Sequence, residues 1–263
     1  MNEADPVLKL SIKEHTATVI LNRPAKRNAL SRKLLQELDQ ALDDLYLEKR
    51  VRVVILTGSG SAFCAGMDLE EMQATAKSDH ADTQWQQDAE QYHDLILKML
   101  RYPKPLIAAV NGPAVAGGAG LVLACDVVVA AESAKFGLPE PKRGIVAGLV
   151  APLLAFRLGG GLAGYLLMTS QLIDSAAAHR IHVFHEVVAD DLIWVHAFER
   201  AKEIATCAPS ALLMTKRMLN ETIGEHLPTL LSVGAAVSAA ARTTESAEEG
   251  LAAFFEKRLP DWP

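Results

Sequence analysis

Nothing in this sequence supplies a disulfide framework, a membrane anchor or a nucleic-acid-binding surface. Its three cysteines, Cys64, Cys125 and Cys207, are scattered and form no CxxC, which points to reduced thiols and a cytoplasmic setting. The longest apolar runs, 112–125 and 144–156, are too short to span a bilayer and carry glycine or proline. The N-terminal stretch MNEADPVLKLSIKEH is acidic and lacks the apolar segment of a secretory leader. Lysine and arginine number 26 against 32 aspartates and glutamates, a net charge of −6. With that balance neither nucleic acid nor an anionic membrane is expected as a partner, although a local basic cluster could still hold an anionic ligand. There is no P-loop, no GxSxG, no solenoid-type repeat and no low-complexity tract. His179, His182 and His185 lie close together but bring no carboxylate or cysteine at ligand spacing, so no metal site is expected.

What remains is 263 residues, half of them hydrophobic and 22% charged, enough to bury one large core without staples. Residues 7–21 read as two short strands ending before Pro24. Ser31 is placed to cap a helix over 32–49, with Leu34, Leu38, Leu42 and Leu45 on one side. A buried strand over 51–57 stops at Gly58, and strand–helix–strand order implies parallel pairing. The polar run after residue 70 predicts a flexible loop, then a helix ending at Pro103. Strands follow at 105–110 and 127–131, and a buried helix kinked near Pro152 is expected over 144–157. From about 195–205 onward the pattern is helical and alanine-rich. That divides the chain into a core, 1–198, and a helical assembly region, 199–263.

Three segments carry candidate chemistry. In SAFCAGMDLEEM (61–72) a strand and glycine turn lead into a helix beginning near Asp68. Backbone amides at such a turn can hold developing negative charge, or the segment is a plain connection with Asp68 as helix cap. In AVAGGAGLVLACD (114–126) glycines 117, 118 and 120 open a helix. They offer a second amide donor, or simply let helix and strand approach closely; the spacing does not fit a dinucleotide-binding GxGxxG. In AKFGLPEPKRGI (134–145), Glu140 stands between two prolines in an apolar stretch, where burial would raise its pKa and suit it to acid–base work. A loop glutamate is more often merely solvated. Cys64 lies near the first turn, but no histidine base is close in sequence.

Taken in order, LNRPAKRNALS (21–31), VVILTGSGSAFCAGMDL (53–69), PLIAAVNGPAVAGGAGLVLACDVVVAAESAKFGLPE (105–140), HEVV (185–188), PSALLMTKRMLNE (209–221) and EEGLAAFFEKRLPDW (248–262) resemble the crotonase (enoyl-CoA hydratase/isomerase) superfamily over nearly the whole chain. The resemblance implies an α/β fold, a spiral of repeated ββα units with a C-terminal helical region that builds homotrimers, often paired into hexamers. It implies an acyl-CoA thioester substrate and no cofactor beyond the coenzyme A of the substrate. It places the two oxyanion-hole amides at Met67 and Gly117 and the acid–base at Glu140. It sets Lys26, Ala29, Ala65 and Leu69 beside the adenine-ribose end of CoA. Lys257 and Phe254 would then approach the CoA phosphates of a neighbouring subunit.

Two departures stand out. Members with two catalytic glutamates carry the first where this chain has Gly120, and residues 145–154 (IVAGLVAPLL) lack the common PGxGGTQ stretch. Gly120 is therefore expected to open the acyl pocket to a bulkier chain. The activity expected is hydration of a 2-enoyl-CoA with a single glutamate. A Δ3,Δ2-enoyl-CoA isomerase is the nearest alternative, and an RNA-binding protein of the same fold is disfavoured by the acidic balance and by Glu140.

Overall fold

The computed structural model describes residues 6–263; residues 1–5, which begin the acidic N-terminal stretch, lie outside the described residues. The first strand, β1 (Leu8–Lys13), pairs antiparallel with β2 (Thr16–Leu21). The chain then enters α1 (Arg32–Leu47), where Ser31 Oγ accepts a hydrogen bond from the Leu34 N–H and six side chains, including the four expected leucines, face the core. Strand β3 (Val53–Gly58) lies parallel to β2. It begins two residues later than expected because the Val51 N–H closes a turn on the Glu48 carbonyl instead of joining the ladder.

The helix expected to begin near Asp68 is α2 (Leu69–Ala76), and it occupies residues after 70 where a flexible loop was expected. Asp68 caps it by accepting from the Glu70 N–H, and Glu70 and Glu71 in the first turn favour the positive end of its dipole. Only four residues separate it from α3 (Ala81–Arg101), whose buried stripe runs from Trp85 to Leu100. Next come β4 (Leu106–Val110), β5 (Ala114–Val115), α4 (Gly117–Ala124), β6 (Val127–Ala131) and β7 (Lys135–Gly137). A 3-10 turn over Glu140–Arg143 leads to α5 (Val150–Leu158). This helix is shorter than the one expected and shows no break at Pro152. The proline lies in the first turn, where its missing N–H has no intrahelical acceptor to lose. The remainder is α6 (Gly160–Thr169), β8 (Leu172–Asp174), α7 (Ser175–Arg180), β9 (Glu186–Val188), α8 (Ile193–Ala205), α9 (Pro209–Arg217), a π turn over Met218–Ile223, α10 (Leu227–Ala241) and α11 (Glu245–Glu256).

Two sheets organise the core. The larger has the order β1-β2-β3-β4-β6-β9 and the smaller β5-β7-β8. Beyond the antiparallel first pair the large sheet is parallel, and its inner strands are almost wholly buried, as parallel sheets covered on both faces must be. Each turn of the chain gives one strand to the large sheet, one short segment to the small sheet and then a helix. Single bridges continue the small sheet backward, Cys64 to Ala114 and Leu30 to Met67. This is the expected spiral of ββα units.

Helix α8 packs on β2, β3, β4 and β6, α10 on α3 and α5, and α11 on α2 and the 3-10 turn. A buried Lys216 on α9 bonds Asp126 Oδ2 at 2.7 Å, and the same oxygen accepts from the Leu106 N–H at 2.8 Å. The C-terminal helices are thereby tied to the start of β4. Breaking such a buried pair on one side leaves an uncompensated charge.

Candidate active site

The spiral brings the ends of the short-sheet segments to one place. Gly66 has φ +86°, open to glycine but strained for any side chain, and an added Cβ would stand 2.6 Å from Ala116 Cβ and 3.2 Å from the Gly117 nitrogen. The turn before α2 and the opening of α4 are thus pressed together. In the bridge at Leu30, the carbonyl of Gly66 and the N–H of Asp68 are used, while the intervening Met67 N–H points the other way. Gly117 is the first residue of α4, so its N–H has no intrahelical acceptor. Neither N–H donates to an acceptor among the described residues. Ala116 holds φ +52°, ψ −126°, a conformation rare for a residue with a side chain. It orients the peptide that carries the Gly117 N–H. Close packing, the other reading of this glycine cluster, also holds: a Cβ on Gly118 would meet the Cys64 carbonyl oxygen at 2.3 Å.

A cavity of about 640 Å³ opens onto these two amides. Glu140, 7% exposed, lines it from the start of the 3-10 turn. Its Oε2 has no hydrogen-bond partner among the described residues. Burial, unopposed by any cation, pushes the carboxyl up to about 7. Such a group exchanges a proton readily near neutrality. Of the other expected residues, Lys26, Ala29, Ala65, Leu69 and Phe254 line the same cavity, and Lys26 forms an ion pair with Glu70. Lys257 caps the end of α11 in left-handed geometry and does not line it.

Gly120 does not line the cavity either, and the room expected there for a bulky acyl chain has another occupant. A Cβ at Gly120 would stand 2.1 Å from the Tyr92 hydroxyl. That hydroxyl donates to the Gly117 carbonyl at 2.5 Å, and the ring lines the cavity. Burial raises the Tyr92 pKa, and the nearby Cys64 and Glu140 add to the effect, so the hydroxyl stays a donor. Tyr92 is a residue that sequence reasoning missed. It lies on a helix whose polar pattern gave no hint of a carbonyl partner 25 positions away.

This arrangement makes a prediction that runs against helix propensity. Alanine is favoured over glycine inside a helix by up to about 1 kcal/mol, yet Gly120→Ala is expected to destabilise the protein by about 1–3 kcal/mol through overpacking against Tyr92. Adding Tyr92→Phe should recover part of that loss. Urea denaturation of the two single variants and the double variant reads the coupling; a Gly120→Ala protein as stable as the parent would refute the steric account.

The remaining candidates have structural roles. Cys64 is buried, and burial pushes its thiol up to about 12. His185 Nδ1 accepts from the Val128 N–H at 3.0 Å, which leaves it as a packing residue. No group of three or more metal-ligating side chains occurs among the described residues, and none of their helices is long and apolar enough to cross a membrane.

Residues 11–263 match the profile of the enoyl-CoA hydratase/isomerase family. A Thermus thermophilus protein provisionally assigned as an enoyl-CoA hydratase is 41% identical over 253 residues, covering 94% of this chain and 97% of its own. An enoyl-CoA hydratase of Mycobacterium tuberculosis is 36% identical over 263 residues, covering 99% and 97%. Among solved structures, an enoyl-CoA hydratase/isomerase from Xanthobacter autotrophicus superposes with a TM-score of 0.88 at 28% identity, over 97% of this chain and 94% of that one.

Proposed function

This chain belongs to the enoyl-CoA hydratase/isomerase family, and from that premise we propose that it hydrates 2-enoyl-CoA thioesters with Glu140 as its one acid–base and the backbone amides of Met67 and Gly117 as the oxyanion hole. The observation that carries the proposal is a buried carboxylate, its Oε2 without a partner, in the cavity onto which two unclaimed N–H groups open.

The chemistry follows from what each group can do. A thioester carbonyl placed between the two amides has its C=O polarised, so C3 of the conjugated double bond becomes electrophilic. Ionised Glu140 takes a proton from water as the oxygen attacks C3. Charge then passes to the thioester oxygen, where fixed donors stabilise it more than they stabilise the ground state; one such donor is worth about 3–4 kcal/mol. Protonated Glu140 next delivers that proton to C2, the enolate collapses, and one water has been added. A carboxyl near pH 7 serves both steps. Tyr92 does not touch the reacting atoms in this scheme; it fixes the peptide that follows the Gly117 donor.

Lys26, Ala29, Ala65 and Leu69 are assigned to the adenine-ribose end of CoA, with Phe254 and Lys257 toward the phosphates of CoA bound to a neighbouring subunit, and no cofactor is required beyond the substrate's own coenzyme A. We assign a homotrimer, with a dimer of trimers as its larger form. Supporting this, Leu230, Val233 and Val237 are exposed apolar side chains at helical spacing on α10, and Met214, Met218 and Ile223 are exposed on α9 and the π turn. Light scattering should give a mass three or six times 28.3 kDa, and a stable monomer would contradict it. Two fully buried free thiols suit a reducing compartment, and a cytoplasmic location is assigned accordingly. The activity is tested by following loss of the conjugated enoyl-thioester absorbance with crotonyl-CoA. Turnover is expected for the 2-enoyl substrate, and no turnover by folded protein on 2-enoyl chains of any length would overturn the proposal.

A further inference from the structure

Arg242 follows the last turn of α10 and is only 9% exposed. Its side chain makes no hydrogen bond or ion pair among the described residues, and its Nη1 is fully buried without an acceptor. A buried guanidinium with no partner is costly. Asp88, the carboxylate whose charge bears on Arg242, is already committed: both its oxygens are held by Arg32, at 2.6 and 2.7 Å, and Gln84 donates to one of them at 2.9 Å. Burial lowers the Arg242 pKa, with Asp88 opposing and Arg32 adding to the effect.

Arg242 lines the cavity that holds Glu140, and it also lines a second cavity of about 420 Å³ under α2, α3 and α11. Leu69, Met72, Arg143 and Ile145 share that common wall. A second orphan donor faces the same region: Trp85, 8% exposed, has an Nε1–H with no acceptor and lines the second cavity. Arg143, stacked on the Phe254 ring at 4.5 Å, adds a half-buried cation.

From these observations we propose that the acyl pocket ends in a carboxylate-binding subsite, with Arg242 as its principal donor, and that the enzyme's substrates are 2-enoyl-CoA thioesters whose acyl chain bears a second carboxylate at its far end. This rests on the acyl-CoA reading of the cavity. Asp88 and Tyr92, one helical turn apart on α3, line the same cavity as Gly117 and Arg242, so the orphan guanidinium and the proposed oxyanion donor open onto one space. The CoA phosphates are held much farther from the thioester by the pantetheine arm, so the anion recognised here is the acyl carboxylate.

Binding of saturated, unreactive six-carbon acyl-CoAs tests the subsite without requiring turnover. Calorimetry on the wild-type protein compares a chain ending in methyl with one ending in carboxylate, with free CoA as a third arm. The carboxylate-ended thioester should bind about 10- to 100-fold tighter, the range for a hydrogen bond to a charged group. Arg242→Met should erase or reverse that preference, and Arg242→Lys should keep part of it. Equal or weaker binding of the carboxylate-ended chain by wild type overturns the proposal, and this arm stands even where a variant fails to fold. If Arg242→Met weakens free CoA as much as the carboxylated thioester, Arg242 holds a phosphate and the acyl subsite is likewise overturned. Absence of hydration with the binding preference intact would instead sink the hydratase reading and leave the subsite standing.

Discussion

Glutamine in place of Glu140 is expected to lower turnover of a 2-enoyl-CoA by about 100- to 10,000-fold, the usual cost of losing a positioned acid–base. The amide matches the carboxyl in size and cannot carry the proton from water to C2. Affinity for the thioester should change little, because the contacts proposed for CoA lie elsewhere in the cavity. The same variant has a second signature. The Glu140 carboxyl sits at about 7 in the folded protein against 4.5 for an ordinary glutamate. The folded state therefore binds more protons than the unfolded state between those values, and stability falls as pH rises through 7. That shift corresponds to about 3 kcal/mol that wild type loses between acid and alkaline pH. Glu140→Gln has no such loss, so it should be more stable than wild type at pH 8 and should lose that advantage near pH 4.5. Thermal denaturation across this range checks the sign. A variant with near-normal turnover, or one destabilised most at pH 8, would remove Glu140 from its role.

Proline at Gly117 is expected to abolish measurable hydration, since it deletes the N–H proposed as one oxyanion donor, and loss of such a donor alone costs about 100- to 1,000-fold in rate. The position is the first of α4, where no intrahelical bond is lost. The added ring carbons must be accommodated by Leu30 Cδ1, which would stand 3.2 Å from a Cβ. Ala116, at φ +52°, must also tolerate a following proline, which restricts the residue before it. Gly117→Ala is the control: it carries a similar steric load and keeps the N–H, so it should retain most activity. Met67→Ala should be mild too, because the proposed donor there is backbone. If the alanine and proline variants at 117 were equally damaged while circular dichroism showed both folded, the backbone-donor assignment would be wrong.

The large sheet and α1 were legible because their signals are local. Short β-branched runs bounded by glycine or proline marked β2, β3 and β4, a valine run between charged residues marked β6, and Ser31 with its leucine stripe marked α1. The start of α2 was legible at Asp68, whose cap and two following glutamates the structure uses, but its extent was not, because the polar run after residue 70 read as loop. Strands β5, β7 and β8 have two or three residues each, too few for any alternation to register. At the site, the flanking prolines and apolar setting of Glu140 already implied the burial that raises its pKa. The Met67 and Gly117 assignments came from family resemblance, since a backbone amide has no side-chain signature. Tyr92 and Arg242 were invisible for a different reason. One is defined by a carbonyl on another helix, and the other by the absence of a partner, and neither relation has any trace in neighbouring sequence.

The central claim is that this enzyme adds water across a 2-enoyl thioester through an enolate protonated by Glu140. The most direct test incubates crotonyl-CoA with the enzyme in deuterated water and reads the product by mass spectrometry, with Glu140→Gln alongside. The account predicts a product heavier by one water and carrying one non-exchangeable deuterium at C2, formed by wild type and nearly absent with the variant. A product of unchanged composition that carries deuterium alone, or a hydrated product formed equally well by the variant, would contradict it.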